Sequence, residues 1–189
     1  MLMAMPDEHD PEQPVIEAIL KGDRCAFGEL ARSQGGWVRG VIYGVLGDPD
    51  RLDDVAQQVW TNVWEQFDKL RNPKRWRPWL YRLARNAAID AGRETTRRRR
   101  AARHLEESRE GRATVERPTD QLAAAETRAA VADAIQSLPV HYREPFVLRH
   151  IEGWSYRRIA EVMSMPVDTV ETRLVRARRL LREALRDKV

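Results

Sequence analysis

Apolar residues along this chain recur at the three-and-four spacing of helices, and almost no stretch alternates apolar and polar positions at period two. Residues 15–32 (VIEAILKGDRCAFGELAR) read as a helix, a Lys-Gly-Asp break and a second helix. Residues 36–46 are short and apolar, and GDPD at 47–50 is a turn and a helix start. An amphipathic helix follows over about 51–68, where Leu52, Val55, Val59, Val63 and Phe67 share a stripe that Ala56, Trp60 and Trp64 widen. RNPKRWRP breaks it, and another helix is predicted over about 77–96. The next stretch, TTRRRRAARHLEESREGRATVERPTDQ, has no sustained apolar face and contains Gly111 and Pro118, so it reads as a frayed helix end and a flexible linker. Helical spacing resumes near 121, with predicted helices over 121–137, 141–151, 155–163 and 166–187. The expected fold is all-α: two small helical domains, 15–100 and 121–189, joined by a flexible charged linker at 101–120 and preceded by a disordered tail at 1–14.

Residues 155–187 have helix-turn-helix proportions. Ser155 is a good N-cap for YRRIAEVM, Ala160 is small enough for a close helix crossing, SMP makes the turn, and Pro166 suits the start of the second helix. At 100° per residue, Val167, Val170, Leu174, Ala177 and Leu181 fall in one arc, the expected buried stripe. The opposite arc carries Asp168, Thr172, Val175, Arg176 and Arg179, which offers a hydroxyl, an apolar tip and two guanidiniums to a DNA groove. Glu171 lies on the flank with Val175 at i+4 and Val167 at i−4, so no helix ion pair accounts for it. Either it accepts a hydrogen bond from a cytosine amino group, or it is a solvated flank residue.

Charge layout sharpens the picture more than the formal net charge of +4 does. Residues 1–70 hold 6 Lys/Arg against 13 Asp/Glu, whereas residues 71–103 hold 12 against 2. An acidic front beside a basic block implies two partners of opposite character, one of them a polyanion. The single cysteine, Cys25, excludes an internal disulfide and a cysteine-cluster metal site, and His9, His104, His141 and His150 show no metal-ligand spacing. No apolar run approaches membrane-spanning length, and the acidic, proline-bearing start does not read as a signal peptide, so a reducing, cytoplasmic setting is expected. No catalytic constellation, phosphate-cradling loop or cofactor motif is present, so neither enzymatic activity nor a small-molecule substrate is expected.

The basic block interleaves flat rings: RNPKRWRPWLYRLARNAAID holds Trp76, Trp79 and Tyr81 among its cations, a composition that suits unpaired bases and their phosphates. Trp79 reads as a core residue, with Leu80 and Leu83; Trp76, before the helix, is the candidate base-stacking ring. Asn86 carries the donors and acceptor needed to read an unpaired base edge. In the preceding helix Asp53, Asp54, Gln57, Gln58 and Asn62 make a polar face, either plain solvation or a docking surface for a basic partner.

In order and spacing, LDDVAQQVWTNVWEQFDKL, WLYRLARNAAIDAGR, the charged linker and LPVHYREPFVLRHIEGWSYRRIAEVMSMPVDTVETRLVRARRLLREAL resemble a bacterial extracytoplasmic-function (ECF) sigma factor of RNA polymerase, over roughly 15–100 and 121–187. The resemblance implies that Asp53, Asp54, Gln57 and Gln58 dock on the clamp helices of the largest polymerase subunit. It places Arg82, Asn86, Asp90 and Arg93 at the −10 element, where the Trp76 ring of the basic block is also expected, with Asn86 near a flipped base and Asp90 and Arg93 in the usual D-x-x-R. It places Tyr156, Arg157, Glu171, Thr172, Val175, Arg176 and Arg179 at the −35 element. Core polymerase and promoter DNA are the implied partners, and an anti-sigma factor is a further one that family members often have. The chain departs from the family pattern at Gln58, where an acid is common, at Arg157 and Arg158, which replace an acidic pair, and at Glu171, where a basic or small residue is common. The competing expectations are a stand-alone helix-turn-helix regulator that binds a palindrome as a dimer, and an RNA-binding module that uses the arginine-rich stretch 97–103.

Overall fold

A computed structural model describes residues 11–103 and 120–186, which are helical with no strand among them. The first half holds four helices: α1 (Gln13–Leu20), α2 (Arg24–Leu46), α3 (Leu52–Gln66) and α4 (Trp76–Arg103). The second holds α5 (Asp120–Ser137), α6 (Val140–His150), α7 (Tyr156–Met163) and α8 (Val167–Leu185). Short 3-10 turns at Phe67–Lys69 and Pro73–Arg75 connect α3 to α4.

Local chemistry sets the breaks. Gly22, at φ +91°, ends the turn after α1, and Asp23 then caps α2, its Oδ1 accepting from the N–H of Cys25 at 2.8 Å and of Ala26 at 3.2 Å. Gly47 closes α2 in the left-handed region at φ 71°, its N–H donating to Tyr43 O at 2.8 Å. Between these caps α2 is unbroken, although a separate short apolar segment was expected at 36–46. Gly35 and Gly36 stay helical because α2 is the central element, packed on α1, α3, α4 and α6, and that burial outweighs the roughly 0.5–1 kcal/mol each interior glycine costs. Helix α4 likewise runs to Arg103, past the expected end near 96.

Val55, Ala56, Val59 and Val63 of α3 and Trp76, Leu80, Ala84 and Ala88 of α4 close on Ile16, Leu30, Val38 and Ile42. That core does not stop at the first half. It continues through the Trp37–Trp154 ring pair, 5.2 Å between centroids, to Leu148, Ile159, Val170 and Leu174. Among the described residues, a separate cluster of Ala134, Leu138, Ala177 and Leu181 belongs to the second half alone. The two halves are therefore packed together, α6 on α2 and α7 against α4. Of the expected linker, residues 101–103 are the end of α4, and residues 104–119 lie outside the described residues, as do residues 1–10 of the expected tail. Residues 11–14 are not a loose tail: Glu12 accepts from Arg77 Nη2 at 2.6 Å and from Gln34 Nε2 at 3.1 Å, and α1 starts at Gln13.

Candidate nucleic-acid interface

Helix α3 buries its valine stripe and turns Asp53, Asp54, Gln57 and Gln58 to solvent. The two aspartates sit in the first turn, where the helix dipole favours negative charge. Asp53 pairs with Arg39 of α2, and Gln58 Nε2 donates to Asn62 Oδ1 at 3.0 Å. The face is acidic and amide-rich, as the sequence indicated.

Helix α4 has the same two-sided build. Beside its buried Leu80, Ala84, Ala88 and Ala91 it exposes Arg82, Asn86, Asp90 and Arg93. Spaced four, four and three residues apart, they form one row of roughly 16 Å at about 1.5 Å per residue. Arg93 and Asp90 approach to 3.7 Å on the open surface, an arrangement too solvated to stabilise the helix much. Trp76 corrects the sequence reading. It is 1% exposed, packed into the core with the Arg77 guanidinium 4.4 Å from its ring, so it has no face free to stack on a base. Trp79 is half-buried and meets Phe67 edge-on at 5.6 Å, in keeping with its expected core role.

The helix-turn-helix is built as its sequence indicates. Ser155 Oγ accepts from Arg158 N–H at 3.2 Å, and Ser164 turns the chain in the left-handed region at φ 54°. Along α8, Val170, Leu174, Ala177 and Leu181 are buried, but Val167, the first residue of the helix, is 40% exposed. Asp168, Glu171, Thr172, Val175, Arg176 and Arg179 face solvent, with Val175 at 54% exposure offering an unshielded apolar tip. The Thr172 hydroxyl donates to Asp168 O at 2.8 Å, which leaves its lone pairs and methyl outward. Arg179 leans toward Glu183 at 3.8 Å. Arg157 is exposed, whereas Tyr156 is half-buried with the Arg149 guanidinium 5.2 Å from its ring.

Two groups that the sequence did not flag join this surface. Tyr142 OH accepts from Arg176 Nη1 at 3.3 Å, and His141 and Tyr142 line a cleft of about 420 Å³ with Asp168, Thr172, Arg173 and Arg176. Their signal is absent from the motif because they come from the start of α6, some thirty residues upstream of Arg176. Among the described residues no cluster could hold a metal ion, and no helix is long and apolar enough to cross a membrane.

Residues 30–104 match the family model described as Sigma-70 region 2, and residues 128–181 match Sigma-70, region 4. The RNA polymerase sigma-H factor of Pseudomonas aeruginosa is 31% identical over 182 residues, spanning 93% of this chain and 94% of that protein. The ECF RNA polymerase sigma-E factor of Escherichia coli K12 is 32% identical over 184 residues, spanning 94% of each. Among solved structures, CnrH in complex with the cytosolic domain of CnrY superposes with a TM-score of 0.69 at 26% identity, covering 95% of this chain and 100% of that one.

Proposed function

We propose how a chain that belongs to the ECF family of RNA polymerase sigma factors, as this one does, divides promoter recognition among its surfaces. It directs promoter-specific transcription initiation, with core RNA polymerase and promoter DNA as its partners. Residues 15–100 act as region 2 and residues 121–189 as region 4, with 101–120 as the connection. The α3 face of Asp53, Asp54, Gln57 and Gln58 docks on the clamp helices of the largest polymerase subunit; neutral Gln58, already donating to Asn62, makes that docking weaker than an acid would. The α4 row of Arg82, Asn86, Asp90 and Arg93 takes the opened −10 element, with no role for buried Trp76. The α8 face of Glu171, Thr172, Val175, Arg176 and Arg179, with Tyr156 and Arg157 from α7, reads the −35 duplex.

The observation that carries this reading is the outward row on α4. One helix fixes its back in the core and presents two cations, an amide and a carboxylate in register, which suits phosphates and one extruded base. Extruding a base costs a few kcal/mol, offset by contacts to the flipped base, so opening needs no bond chemistry from this chain and no cofactor. The factor is accordingly not an enzyme, and it works in the cytoplasm, at the nucleoid when active. An anti-sigma factor is a further partner; CnrH was itself solved with a bound cytosolic domain.

Run-off transcription with core polymerase on a pool of genomic fragments tests the assignment. Discrete start sites that depend on this chain are expected, and their absence from every fragment overturns it. In the same assay Asn86→Ala loses permanganate reactivity at the −10 bases while retaining duplex binding. An unchanged footprint removes Asn86 from the melted strand.

A further inference from the structure

Tyr142 is the third residue of α6, yet its hydroxyl serves the exposed face of α8. Its ring is half-buried and packs on the cluster of Ala134, Leu138, Ala177 and Leu181. The His141 ring lies against it, 3.9 Å between centroids and tilted by 53°. Its backbone N–H donates to Pro139 O at 2.9 Å, in a turn whose φ proline fixes. A tyrosine side chain has few torsions to lose, so core, neighbour and backbone together fix where the phenol oxygen stands.

That oxygen accepts from Arg176 Nη1 at 3.3 Å, across 34 residues of sequence. The bond is made at the cleft of about 420 Å³ between the start of α6 and the first turns of α8. The five N–H donors of arginine lie in one planar fork. A bond at Nη1 therefore restrains that plane and leaves the edge formed by Nε and Nη2 for another partner. The acceptor is a neutral hydroxyl, so the guanidinium is oriented without its positive charge being cancelled.

Arg179, one turn further along the same exposed arc, is the contrast. Its side chain is 67% exposed, and its Nη1 stands 3.8 Å from Glu183 Oε1, beyond hydrogen-bond reach and on its own helix. A loose guanidinium satisfies a phosphate from many directions, whereas reading guanine O6 and N7 needs two donors aligned at once. Ordering the side chain before the DNA arrives removes part of the entropy cost of binding. We propose that Tyr142, held by the core and by His141, is a positioning residue for the −35 recognition assigned to α8 above, on which this inference rests. It pre-sets Arg176 so that its Nε–Nη2 edge reads one guanine, which makes Arg176 the arginine of base choice and leaves Arg179 to the phosphates.

Free and bound states test this separately. In the free full-length chain with isotope-labelled arginine, the Arg176 Nε–H signal, assigned by its loss in Arg176→Lys, should relax as a restricted group. Tyr142→Phe should lower its order parameter. Phenylalanine keeps the ring in the cluster, so helical circular dichroism and the urea midpoint should stay where they are. Equal Arg176 mobility in both chains overturns the positioning role.

Core polymerase reconstituted with each chain is then given promoters randomised at −35, and the run-off products are sequenced. Arg176→Ala identifies the base pair whose preference Arg176 sets. Tyr142→Phe should weaken the preference at that pair alone by about two- to tenfold, the reach of one hydrogen bond, with no further loss in the Arg176→Ala background. Arg179→Ala should instead lower initiation from all sequences alike and reduce the salt slope of promoter binding by about one, a slope that Tyr142→Phe should not change. An unchanged preference in Tyr142→Phe overturns the proposal. So does the same shift with Arg176 absent, which would put Tyr142 on the DNA itself. A restricted Arg176 that Tyr142→Phe frees, with no chain initiating from any promoter, keeps the pre-set guanidinium and sinks the promoter-recognition reading instead.

Discussion

The two halves of this molecule are built from the same element, an amphipathic helix, yet they differ in how much core each owns. The first half closes α1–α4 around large side chains, among them Leu30, Trp37, Ile42, Trp76 and Leu80. Among the described residues, the buried groups that belong to the second half alone are Ala134, Leu138, Ala177 and Leu181, with the partly buried Phe146, Leu180 and Leu185 packed on them, while Leu148, Trp154, Ile159 and Leu174 belong to the shared cluster. Buried area scales with side-chain size, so much of the second half's buried apolar area lies in the cluster it shares with the first.

The largest test of the contrast is in the cores. Trp76→Ala should cost about 3–5 kcal/mol in urea unfolding followed by circular dichroism, the usual cost of truncating a buried aromatic. Leu181→Ala, at the edge of the small cluster and 9% exposed, should cost about 2 kcal/mol, the low end for a leucine. Amide exchange in native conditions should run faster in α5 and α8 than in α2 and α4. Equal costs, or exchange in α5 and α8 no faster than in α2 and α4, would remove the contrast between the halves.

These differences mark what the sequence could reveal. The helices and their buried faces were legible because one period, 3.6, governs both local structure and burial, and the exposed arc of α8 came out residue for residue. Gly35 and Gly36 misled because glycine marks a break when its neighbours in sequence are considered alone, whereas both lie inside a helix that packs on α1, α3, α4 and α6. Trp76 misled because a ring among arginines has the same local pattern whether it faces a base or the core. Val167 fits the apolar arc, yet as the first residue of α8 it stays 40% exposed. Arg143 and Glu144, buried where α6 meets α2 and α4, gave no signal at all, since isolated charges read as solvated surface until a partner surface is placed against them.

Smaller effects separate the two DNA-facing helices. Arg176→Ala should weaken binding to the −35 duplex by about 1–3 kcal/mol if its guanidinium meets a base edge, while Asn86→Ala leaves that affinity unchanged and shows only in strand opening. Equal losses on the duplex from both would merge the two roles. Smaller again, Glu171→Ala should change preference at a single −35 base pair in a selection from randomised duplexes. Recovery of the same sequence by both proteins would make Glu171 a solvated flank residue, which its exposed position beside α8's outward arc also permits.

The least effect, and the finest cut between the halves, is in acid. His150, in α6, is held below the ordinary histidine range by desolvation and then by the Arg178 and Arg149 charges, with the Phe146 ring 4.5 Å away. The folded state therefore binds its proton less readily than the unfolded chain does. Stability contributed by the neutral ring is present above the unfolded value, near 6.5, and is lost as pH falls through that value toward the lower folded one. Glu152 works in the opposite direction, since burial against α2 raises its carboxyl and its protonation favours the packed form. In a Glu152→Gln background the urea midpoint should consequently fall on acidification below about pH 6.5, with exchange quickening first in α6 and α8, and His150→Gln should flatten that slope. An acid response that survives His150→Gln, or that begins in α2 and α4, would place the weaker half on the wrong side of the molecule.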